Sequence, residues 1–387
     1  MERTPGHFVP SKPVRVVVIG AGFVGSTYAY TLLLHDIADE ICIIDVNRDK
    51  AVGQAMDLNH SMPLLKRTEI WAGDMDDVRD ADVVMIAAGV NQKPGETRMD
   101  LLRRNAEIVG NVASEVGRIA RNAIILVATN PVDVMTQVSM IRSGLPPSRV
   151  MGSGTALDTA RLRYLVGREL GLDPRSVHAF VMGEHGDSEF VAWSRASVAG
   201  IDLLDWDGFY DAARKRIESE VRGAAYEVIE KKGATYFAPA MALMRITEAV
   251  VKDLRTVISV SAYLEGEYGI YDVYLGVPAV VGREGILRVL ETPLSREELG
   301  KLQDSGRIVR DAVESTGALT EVLEMTARRQ KPALVGASAF EASEEIWNTV
   351  GDTETGAGTS ASTAVGAGAD TRYGSKPKRA MRKPRQL

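Results

Sequence analysis

Hydrophobic residues follow one pattern from Val14 to residue 154. Short apolar runs, rich in Val and Ile, alternate with longer segments in which apolar residues recur at helical spacing. Such runs are typical of strands that are buried on both faces of a sheet. The predicted strands span 14–20, 40–45, 68–73, 82–89, 123–130 and 149–154, and the predicted helices span 22–35, 48–60, 100–121 and 132–142. This order predicts an α/β fold with a doubly wound parallel sheet.

The pattern becomes mixed after residue 152. A predicted helix at 155–169 is followed by the strand-like segments VHAFVMG and EFVAWS, and then by helices at 205–232 and 239–253. Two long β-rich segments, TVISVSAYL and DVYLGVPAVVG, come next, and residues 295–316 again have helical spacing. We expect these residues to form a second, mixed α+β domain.

The chain divides into five predicted segments. Residues 355–369 contain only Gly, Ala, Ser and Thr apart from Val365, and this composition buries too little apolar surface to offset the entropy of ordering. For residues 317–350 the choice between short helices and irregular chain stays open. The segments are an N-terminal extension (1–13), the parallel-sheet domain (14–152), the mixed domain (153–316), the undecided stretch (317–350) and a tail that we expect to be disordered (351–387).

Composition narrows the class of protein. Cys42 is the only cysteine, so an intrachain disulfide is excluded and a reducing, cytoplasmic location is expected. The N-terminus lacks the apolar run of a signal peptide, and no stretch reaches the roughly 18 apolar residues that a membrane span needs. We therefore expect no membrane partner.

Charge is distributed unevenly along the chain. Lys and Arg number 46 and Asp and Glu 52, which gives a net charge of -6. Seven basic residues and no acidic one lie between Arg372 and Leu387, which leaves 39 basic residues for residues 1–371 and a net charge of -13 there. The body of the protein is acidic and its end is basic.

A glycine motif indicates a dinucleotide site. Gly20, Gly22 and Gly25 form G-A-G-F-V-G directly after the first predicted strand and at the start of a helix. Glycines at these positions permit a tight turn, close approach to a pyrophosphate and close packing of helix on strand. Asp45 ends the second strand, where a carboxylate accepts hydrogen bonds from ribose hydroxyls and repels a 2′-phosphate. The motif favours NAD over NADP, and the alternative is a glycine turn beside an acidic loop residue.

His185 has the most informative context of the five histidines. It lies in G-E-H-G-D at the end of a predicted strand, between glycines that leave space for a ligand. Nothing near it has the spacing of metal ligands, so we expect no metal site.

Two further charged groups lie in segments where ligands bind. Asp158 and Arg161 share one face of a predicted helix, although Thr155-x-x-Asp158 also resembles a capping box and the ion pair needs no function. Arg98 ends the loop N-Q-K-P-G-E-T-R at the carboxyl edge of the predicted sheet. The alternative for that loop is a solvated connection.

The motifs together resemble the bacterial L-lactate dehydrogenases. They occur in family order and at family spacing from about Val14 to residue 316, namely GAGFVG, IID, AAGVNQKPGETRMDLLRRN, VATNPVD, GSGTALDTARLR, GEHGD, KKGATYF and DVYLGVPAVVG. The resemblance implies a Rossmann-type NAD-binding domain followed by a catalytic domain. It implies reversible hydride transfer between NADH and pyruvate, giving (S)-lactate and NAD+, as the last step of fermentative glycolysis.

The resemblance also implies a role for each polar residue of the site. His185 is expected to be the acid/base, with Asp158 as the partner that raises its pKa. Arg161 is expected to bind the substrate carboxylate as a fork, and Arg98 to close over the substrate and polarise its carbonyl. Asn130 is expected to hydrogen-bond the reacting oxygen. The implied cofactor contacts are Gly20, Gly22, Phe23, Val24, Gly25, Asp45, Gly89 and Asn130.

Substrate choice depends on two further positions. A malate dehydrogenase resembles this chain but has an arginine at the position of Gln92, where it pairs with a second carboxylate. Thr235 resembles the family residue that narrows the pocket. Both residues favour pyruvate, and malate dehydrogenase or another 2-hydroxy acid dehydrogenase is the alternative.

A regulatory site and an assembly are implied as well. Arg163 points away from the carboxylate-binding face, and His178 lies seven residues before His185. Residues at these positions bind fructose 1,6-bisphosphate between subunits in related bacterial enzymes, so the resemblance implies this effector and a homotetramer. An exposed arginine and a strand histidine are the alternative.

A non-enzymatic interpretation starts from the basic end of the chain. The lactate-dehydrogenase-like body would then be an NAD-binding structural module whose tail binds a polyanion. Tyr373 is the only aromatic residue between Arg372 and Leu387, and no folded nucleic-acid module is present, so we expect no nucleic-acid partner.

Overall fold

The computed structural model describes residues 12–65, 67–90 and 95–318. Its first half contains six parallel strands, in the order β3-β2-β1-β4-β5-β6 across the sheet. The strands are β1 (Arg15–Ile19), β2 (Glu40–Ile44), β3 (Glu69–Ala72), β4 (Val83–Ile86), β5 (Ile124–Val127) and β6 (Val150–Gly152). The predicted doubly wound parallel sheet is confirmed. Strand order reverses between β1 and β4, which creates the crevice where such sheets bind ligands.

The helices of this half also agree closely with the sequence pattern. They are α1 (Phe23–Leu34), α2 (Arg48–His60), α3 (Arg98–Ile119) and α4 (Val132–Ser143). Thr97 caps α3. Its hydroxyl accepts a hydrogen bond from the amide of Asp100, and the Asp100 carboxylate accepts one from the amide of Thr97. This capping box starts α3 two residues before the predicted position, directly at Arg98.

The second half extends the same sheet and adds two small sheets, β11-β10-β7 and β8-β9. Its long strands pair antiparallel in the order β14-β13-β12 beyond β6, where Gly152 faces Ser261. The elements are α5 (Ala156–Leu170), β7 (Val177–His178), β8 (Val181–Met182), β9 (Phe190–Val191), β10 (Ser197–Val198), β11 (Ile201–Asp202), α6 (Asp211–Lys232), α7 (Phe237–Val251), β12 (Thr256–Glu265), β13 (Tyr271–Gly282), β14 (Gly285–Val289) and α8 (Arg296–Thr316).

Several predicted boundaries in the second half are wrong. Helix α6 begins at Asp211 instead of 205, because residues 203–205 form a short 3-10 turn and Gly208 adopts φ +82°. The strand-like segments VHAFVMG and EFVAWS contribute pairs of residues only, and strand β14 was not predicted. The expected disorder of 351–387 and the undecided stretch lie outside the described residues, apart from Gly317 and Ala318.

Apolar side chains of both halves pack around this sheet. Strands β4 and β5 are buried along their whole length and β1 at every residue after Arg15, with Val17, Val84 and Ile125 fully buried. A smaller apolar cluster lies between α5, α6 and the short strands, and includes Leu162, Val177 and Phe209. Within the described ranges, no helix has the length and apolar character to cross a bilayer.

Candidate active site

The glycine turn between β1 and α1 has the geometry that a dinucleotide needs. Gly20 adopts φ +111°, a conformation that disfavours any side chain. A Cβ at Gly25 would lie 1.9 Å from the carbonyl oxygen of Gly20, so only glycine lets α1 pack this close to β1. A Cβ at Gly22 would meet nothing within 4 Å, which leaves open space at the N-terminus of α1, where phosphate is favoured.

Asp45 lies where the second strand meets this turn. Its carboxylate accepts from the amide of Ala21 at 2.7 Å and from the amide of Asn47 at 2.9 Å. These bonds hold the carboxylate beside the glycine turn. The predicted cofactor residue Gly89 lies three residues after the end of β4, on the same edge of the sheet, and is exposed.

His185 and Asp158 form a hydrogen-bonded pair. Nδ1 of His185 donates to Oδ2 of Asp158 at 2.6 Å, and Asp158 is 1 % exposed. Burial lowers the pKa of His185, but the hydrogen bond and the charge of Asp158 outweigh it and raise the pKa to about 9. Burial raises the pKa of Asp158, and the bond to His185 and the charges of His185 and Arg161 bring it below its usual range. At neutral pH the pair therefore holds imidazolium beside carboxylate.

Arg161 meets the same carboxylate from the other side. Its Nη1 donates to Oδ1 of Asp158 at 2.8 Å, and α5 places both residues on one face. The capping-box alternative does not apply, because the Thr155 hydroxyl bonds the carbonyl of Val181 and the hydroxyl of Ser259. Asp158 is thus free of a capping role and serves His185 and Arg161.

Asp133 fixes the backbone of the histidine loop. It is 1 % exposed on α4, and its Oδ2 accepts from the amide of His185 at 2.8 Å. The Ser261 hydroxyl on β12 donates to its other oxygen. Burial raises the pKa of Asp133 to about 6. Sequence reasoning missed this residue, because its partner lies 52 positions away and no local pattern links them.

Glu189 is a second acidic group that the sequence did not single out. It is 6 % exposed, and burial together with the charge of Asp158 raises its pKa to about 8. Donor atoms of Asp158, His185 and Glu189 all lie within 4.8 Å of one another, a grouping that could hold a metal ion. Because Nδ1 of His185 and Asp158 already share a hydrogen bond, the arrangement fits proton transfer better than metal binding.

One cavity of about 160 Å³ joins the predicted substrate residues. Asn130, Arg161, His185 and Thr235 line it together with Val24 of the glycine turn. Ala225 and Ile229 of α6 and Leu157 of α5 supply apolar walls. The pocket therefore presents an imidazolium, a guanidinium and an amide to a small, partly apolar ligand.

The remaining predicted substrate residues are Arg98 and Gln92. Arg98 is exposed at the first position of α3 and does not line this cavity. Gln92 lies outside the described residues.

Two family models match almost the whole described chain. Residues 14–152 match the NAD binding domain of the lactate/malate dehydrogenases, and residues 155–320 match their alpha/beta C-terminal domain. The chain belongs to the lactate/malate dehydrogenase family. NAD is the cofactor of the N-terminal domain in this family, which agrees with the open space at Gly22 and the position of Asp45.

Relatives and solved structures within the family point the same way. An L-lactate dehydrogenase of Acetivibrio thermocellus is 47% identical over 309 residues, which cover 78% of this chain and 96% of the relative. An L-lactate dehydrogenase of Bacillus caldolyticus is 48% identical over 306 residues, covering 77% and 96%.

The solved structures agree with the fold along most of the chain. A lactate dehydrogenase from a Medee basin deep-sea metagenome library superimposes with a TM-score of 0.77 at 42% identity, covering 79% of this chain and 100% of that one. The ligands-bound minor L-lactate dehydrogenase of Enterococcus mundtii gives 0.76 at 39% identity, covering 78% and 98%. The resemblance to bacterial L-lactate dehydrogenases is confirmed.

The predicted effector residues lie close to each other and outside the substrate cavity. Nε of Arg163 donates to the carbonyl of Ala179 at 3.2 Å, which places the guanidinium one residue from His178 on β7. Burial lowers the pKa of Arg163, and its guanidinium also lies 5.4 Å from the centre of the Phe180 ring. His178 is exposed.

Proposed function

We propose that the chain is an NAD-dependent L-lactate dehydrogenase that interconverts pyruvate and (S)-lactate. The observation that carries this proposal is the line Arg161–Asp158–His185 at the wall of the 160 Å³ cavity. A 2-oxo acid needs a cation for its carboxylate and a proton for its ketone oxygen. Arg161 and protonated His185 supply these two groups side by side.

The mechanism follows from the protonation state of His185. With a pKa near 9, its imidazolium persists at neutral pH and donates its Nε2 proton to the ketone oxygen as that oxygen gains charge. In the reverse direction the neutral imidazole takes the proton from lactate. Arg161 holds the carboxylate so that the ketone faces His185, and Asn130 donates to the same oxygen. Bound NADH supplies the hydride to the carbonyl carbon.

Cofactor binding is assigned to the edge of the sheet around the glycine turn. Gly20, Gly22, Phe23, Val24 and Gly25 would surround the pyrophosphate at the start of α1. Asp45 would accept from the adenosine ribose, and Gly89 and Asn130 would lie near the nicotinamide. Residues 14–152 would then act as the NAD-binding domain and 153–316 as the catalytic domain.

Arg98 completes the site by moving. It starts α3 with its side chain in solvent, where the positive end of the helix dipole disfavours a cation. Closing over a bound 2-oxo acid would pair Arg98 with the ketone oxygen and exclude water from the cavity.

Pyruvate is preferred over oxaloacetate in this proposal because Gln92 is neutral. A second carboxylate would remain unpaired in the closed site, and Thr235 narrows the space beside it. The test compares kcat/KM for the two acids in the natural chain and in Gln92→Arg. The natural chain should have the higher kcat/KM with pyruvate. In the variant the ratio of the two kcat/KM values should shift at least about tenfold toward oxaloacetate, which corresponds to about 1.4 kcal/mol. An unchanged ratio would mean that Gln92 does not face the substrate, and a natural preference for oxaloacetate would favour malate dehydrogenase.

Arg163 and His178 are proposed to bind fructose 1,6-bisphosphate between subunits. The side chains of Arg163 and His178 from two subunits would hold the phosphates and favour an active arrangement of a homotetramer. The effector should shift the pyruvate saturation curve at neutral pH, and Arg163→Gln should abolish the shift. Arg175→Gln is the control, because Arg175 is an exposed arginine that pairs with Asp173. A shift that survives Arg163→Gln would contradict the assignment.

Self-association is supported by an apolar surface around α7. A cavity of about 440 Å³ there is lined by Met241, Val257 and Arg163 among others, and Phe237, Met241 and Val257 are exposed. Apolar surface of this kind marks contacts between chains. A cytoplasmic location is proposed on the single cysteine, Cys42.

A further inference from the structure

Four side chains form a cluster beside the substrate cavity, and only one of them, Phe23, has a proposed role in cofactor binding. Phe23, on the first turn of α1, stacks on Tyr236 with ring centres 5.1 Å apart and planes 19° from parallel. Tyr236 meets Phe237 edge-on at 4.6 Å. The ammonium of Lys232 lies 3.6 Å from the centre of the Tyr236 ring and 3.9 Å from that of Phe237. These four residues are called the aromatic clasp below.

The clasp lies on both sides of a short turn that carries Thr235. Lys232 is the last residue of α6, Gly233 ends that helix in a left-handed conformation, and Tyr236 precedes the first residue of α7. Thr235 lies within this turn and lines the substrate cavity. The position of the pocket wall therefore depends on how the turn is held.

Side-chain hydrogen bonds contribute little to the position of this turn. Helix α7 begins without a side-chain cap. Within residues 12–65, 67–90 and 95–318, the Thr235 hydroxyl has no hydrogen-bond partner. A Cβ at Gly233 would meet nothing within 4 Å, so neighbouring atoms do not fix the turn there. Backbone hydrogen bonds hold the two ends of the turn, from the amide of Gly233 to the carbonyl of Ile229 at 2.8 Å and from the amide of Ala240 to the carbonyl of Tyr236 at 3.0 Å. The cation–π contacts of Lys232 and the ring stack are the side-chain interactions that add to them.

We propose that the aromatic clasp is a positioning device that sets the place of Thr235 and thereby the affinity for the 2-oxo acid. Phe23 follows Gly22 in the glycine turn, so its ring links the proposed pyrophosphate site to the wall of the substrate cavity through Tyr236. This inference rests on the proposed lactate dehydrogenase activity and adds a residue set that controls it.

Lys232→Met tests the clasp with little change in side-chain volume. Loss of the cation should raise KM for pyruvate at saturating NADH about two- to fivefold, the range that a cation–π contact supports. The value of kcat and the melting temperature should stay close to those of the natural chain, because the proton and carboxylate groups are untouched. Lys232→Arg keeps a cation over the rings and should restore KM.

Lys231→Met is the matched control. Lys231 is the adjacent lysine on the same helix end and pairs with Glu227 in solvent instead of with the rings. Its loss should leave KM for pyruvate unchanged. An equal rise in KM for both lysine variants would mean that general charge near the cavity matters, and would overturn the clasp.

A double variant separates positioning from simple loss of stability. Tyr236→Leu removes both the stack and the cation–π partner and should raise KM for pyruvate about two- to tenfold, whereas Tyr236→Phe keeps the ring and should not. Adding Lys232→Met to Tyr236→Leu should raise KM by less than the product of the two single effects, since Phe237 is then the only ring of the clasp that the lysine still contacts. Two outcomes would overturn the proposal. The effects of the two substitutions on KM could be independent, or KM could change with the melting temperature of the variants and not with the presence of the aromatic ring at position 236.

The same assays distinguish failure of the clasp proposal from failure of the proposed lactate dehydrogenase activity. A natural chain that reduces pyruvate while all clasp variants keep its KM refutes the clasp alone. A natural chain that does not oxidise NADH with pyruvate refutes the proposed function and the clasp together.

Discussion

At the scale of single residues, the charge of Asp158 decides what His185 can do. Burial by itself would favour a neutral imidazole, and the 2.6 Å hydrogen bond to Asp158 reverses that preference. The folded pKa lies above the unfolded value of about 6.5, so the pair stabilises the fold most at pH below that value and loses this contribution as pH rises through about 9. Pyruvate reduction needs protonated His185, so kcat/KM for pyruvate should fall as pH rises through about 9.

Asp158→Asn should move the alkaline limit of pyruvate reduction downward. Without the carboxylate, burial dominates and the pKa of His185 falls toward or below its ordinary value. The measurement is kcat/KM for pyruvate against pH, with lactate oxidation expected to respond in the opposite direction. Asp173→Asn is the control, because Asp173 pairs with Arg175 on the surface and should leave the profile unchanged. An alkaline limit that stays near 9 in Asp158→Asn would contradict the role of the pair.

Sequence reasoning reached the residues whose relation is local. Asp158 and Arg161 are one helical turn apart, and His185 lies in a distinctive loop, so pattern and resemblance located them. Asp133 and Glu189 were missed, because their importance comes from burial next to His185, and burial between distant segments has no local signature. Arg98 was expected to act on the substrate, and its exposed position at the start of α3 leaves that role a prediction.

At the scale of elements, the turn between β1 and α1 is set by backbone contacts. A Cβ at Gly25 would overlap the carbonyl oxygen of Gly20, so the helix could not keep its place on the sheet. In contrast, a Cβ at Gly53 within α2 would meet nothing within 4 Å. Two glycines in neighbouring helices thus have opposite structural roles.

Gly25→Ala should lower the free energy of unfolding by about 1–3 kcal/mol and weaken NADH binding, because the glycine turn must open to admit the methyl group. Urea unfolding and a fluorescence titration with NADH measure the two effects. Gly53→Ala should leave NADH binding unchanged and leave stability unchanged or up to about 1 kcal/mol higher. Equal effects of the two substitutions would contradict the packing account of the turn.

The sequence predicts elements that have regular periodicity, but it does not predict how the strands of the second half pair. The Val- and Ile-rich runs gave β1 to β6 within a few residues, since strands buried on both faces have a clear signature. That β12 to β14 continue the same sheet beyond β6 depends on the contact of Gly152 with Ser261, more than 100 positions apart. The start of α6 was wrong because Gly208 interrupts a segment whose spacing is otherwise helical.

At the scale of the whole molecule, both halves contribute side chains to the candidate substrate cavity. Asn130 and Val24 come from the parallel part of the sheet, whereas Arg161, His185 and Thr235 come from the elements that follow β6. The net charge of -6 explains none of this, since the active charges are local and balanced by partners such as Asp158. The seven basic residues after residue 371 lie outside the described chain and outside both family models.

The product formed from pyruvate and NADH decides whether the chain is an L-lactate dehydrogenase. Chiral chromatography of the reaction, run at neutral pH with NADH consumption recorded in parallel, identifies that product. (S)-Lactate should form in a one-to-one ratio with the NADH oxidised. Failure to oxidise NADH with pyruvate, or formation of (R)-lactate, would contradict the proposed function.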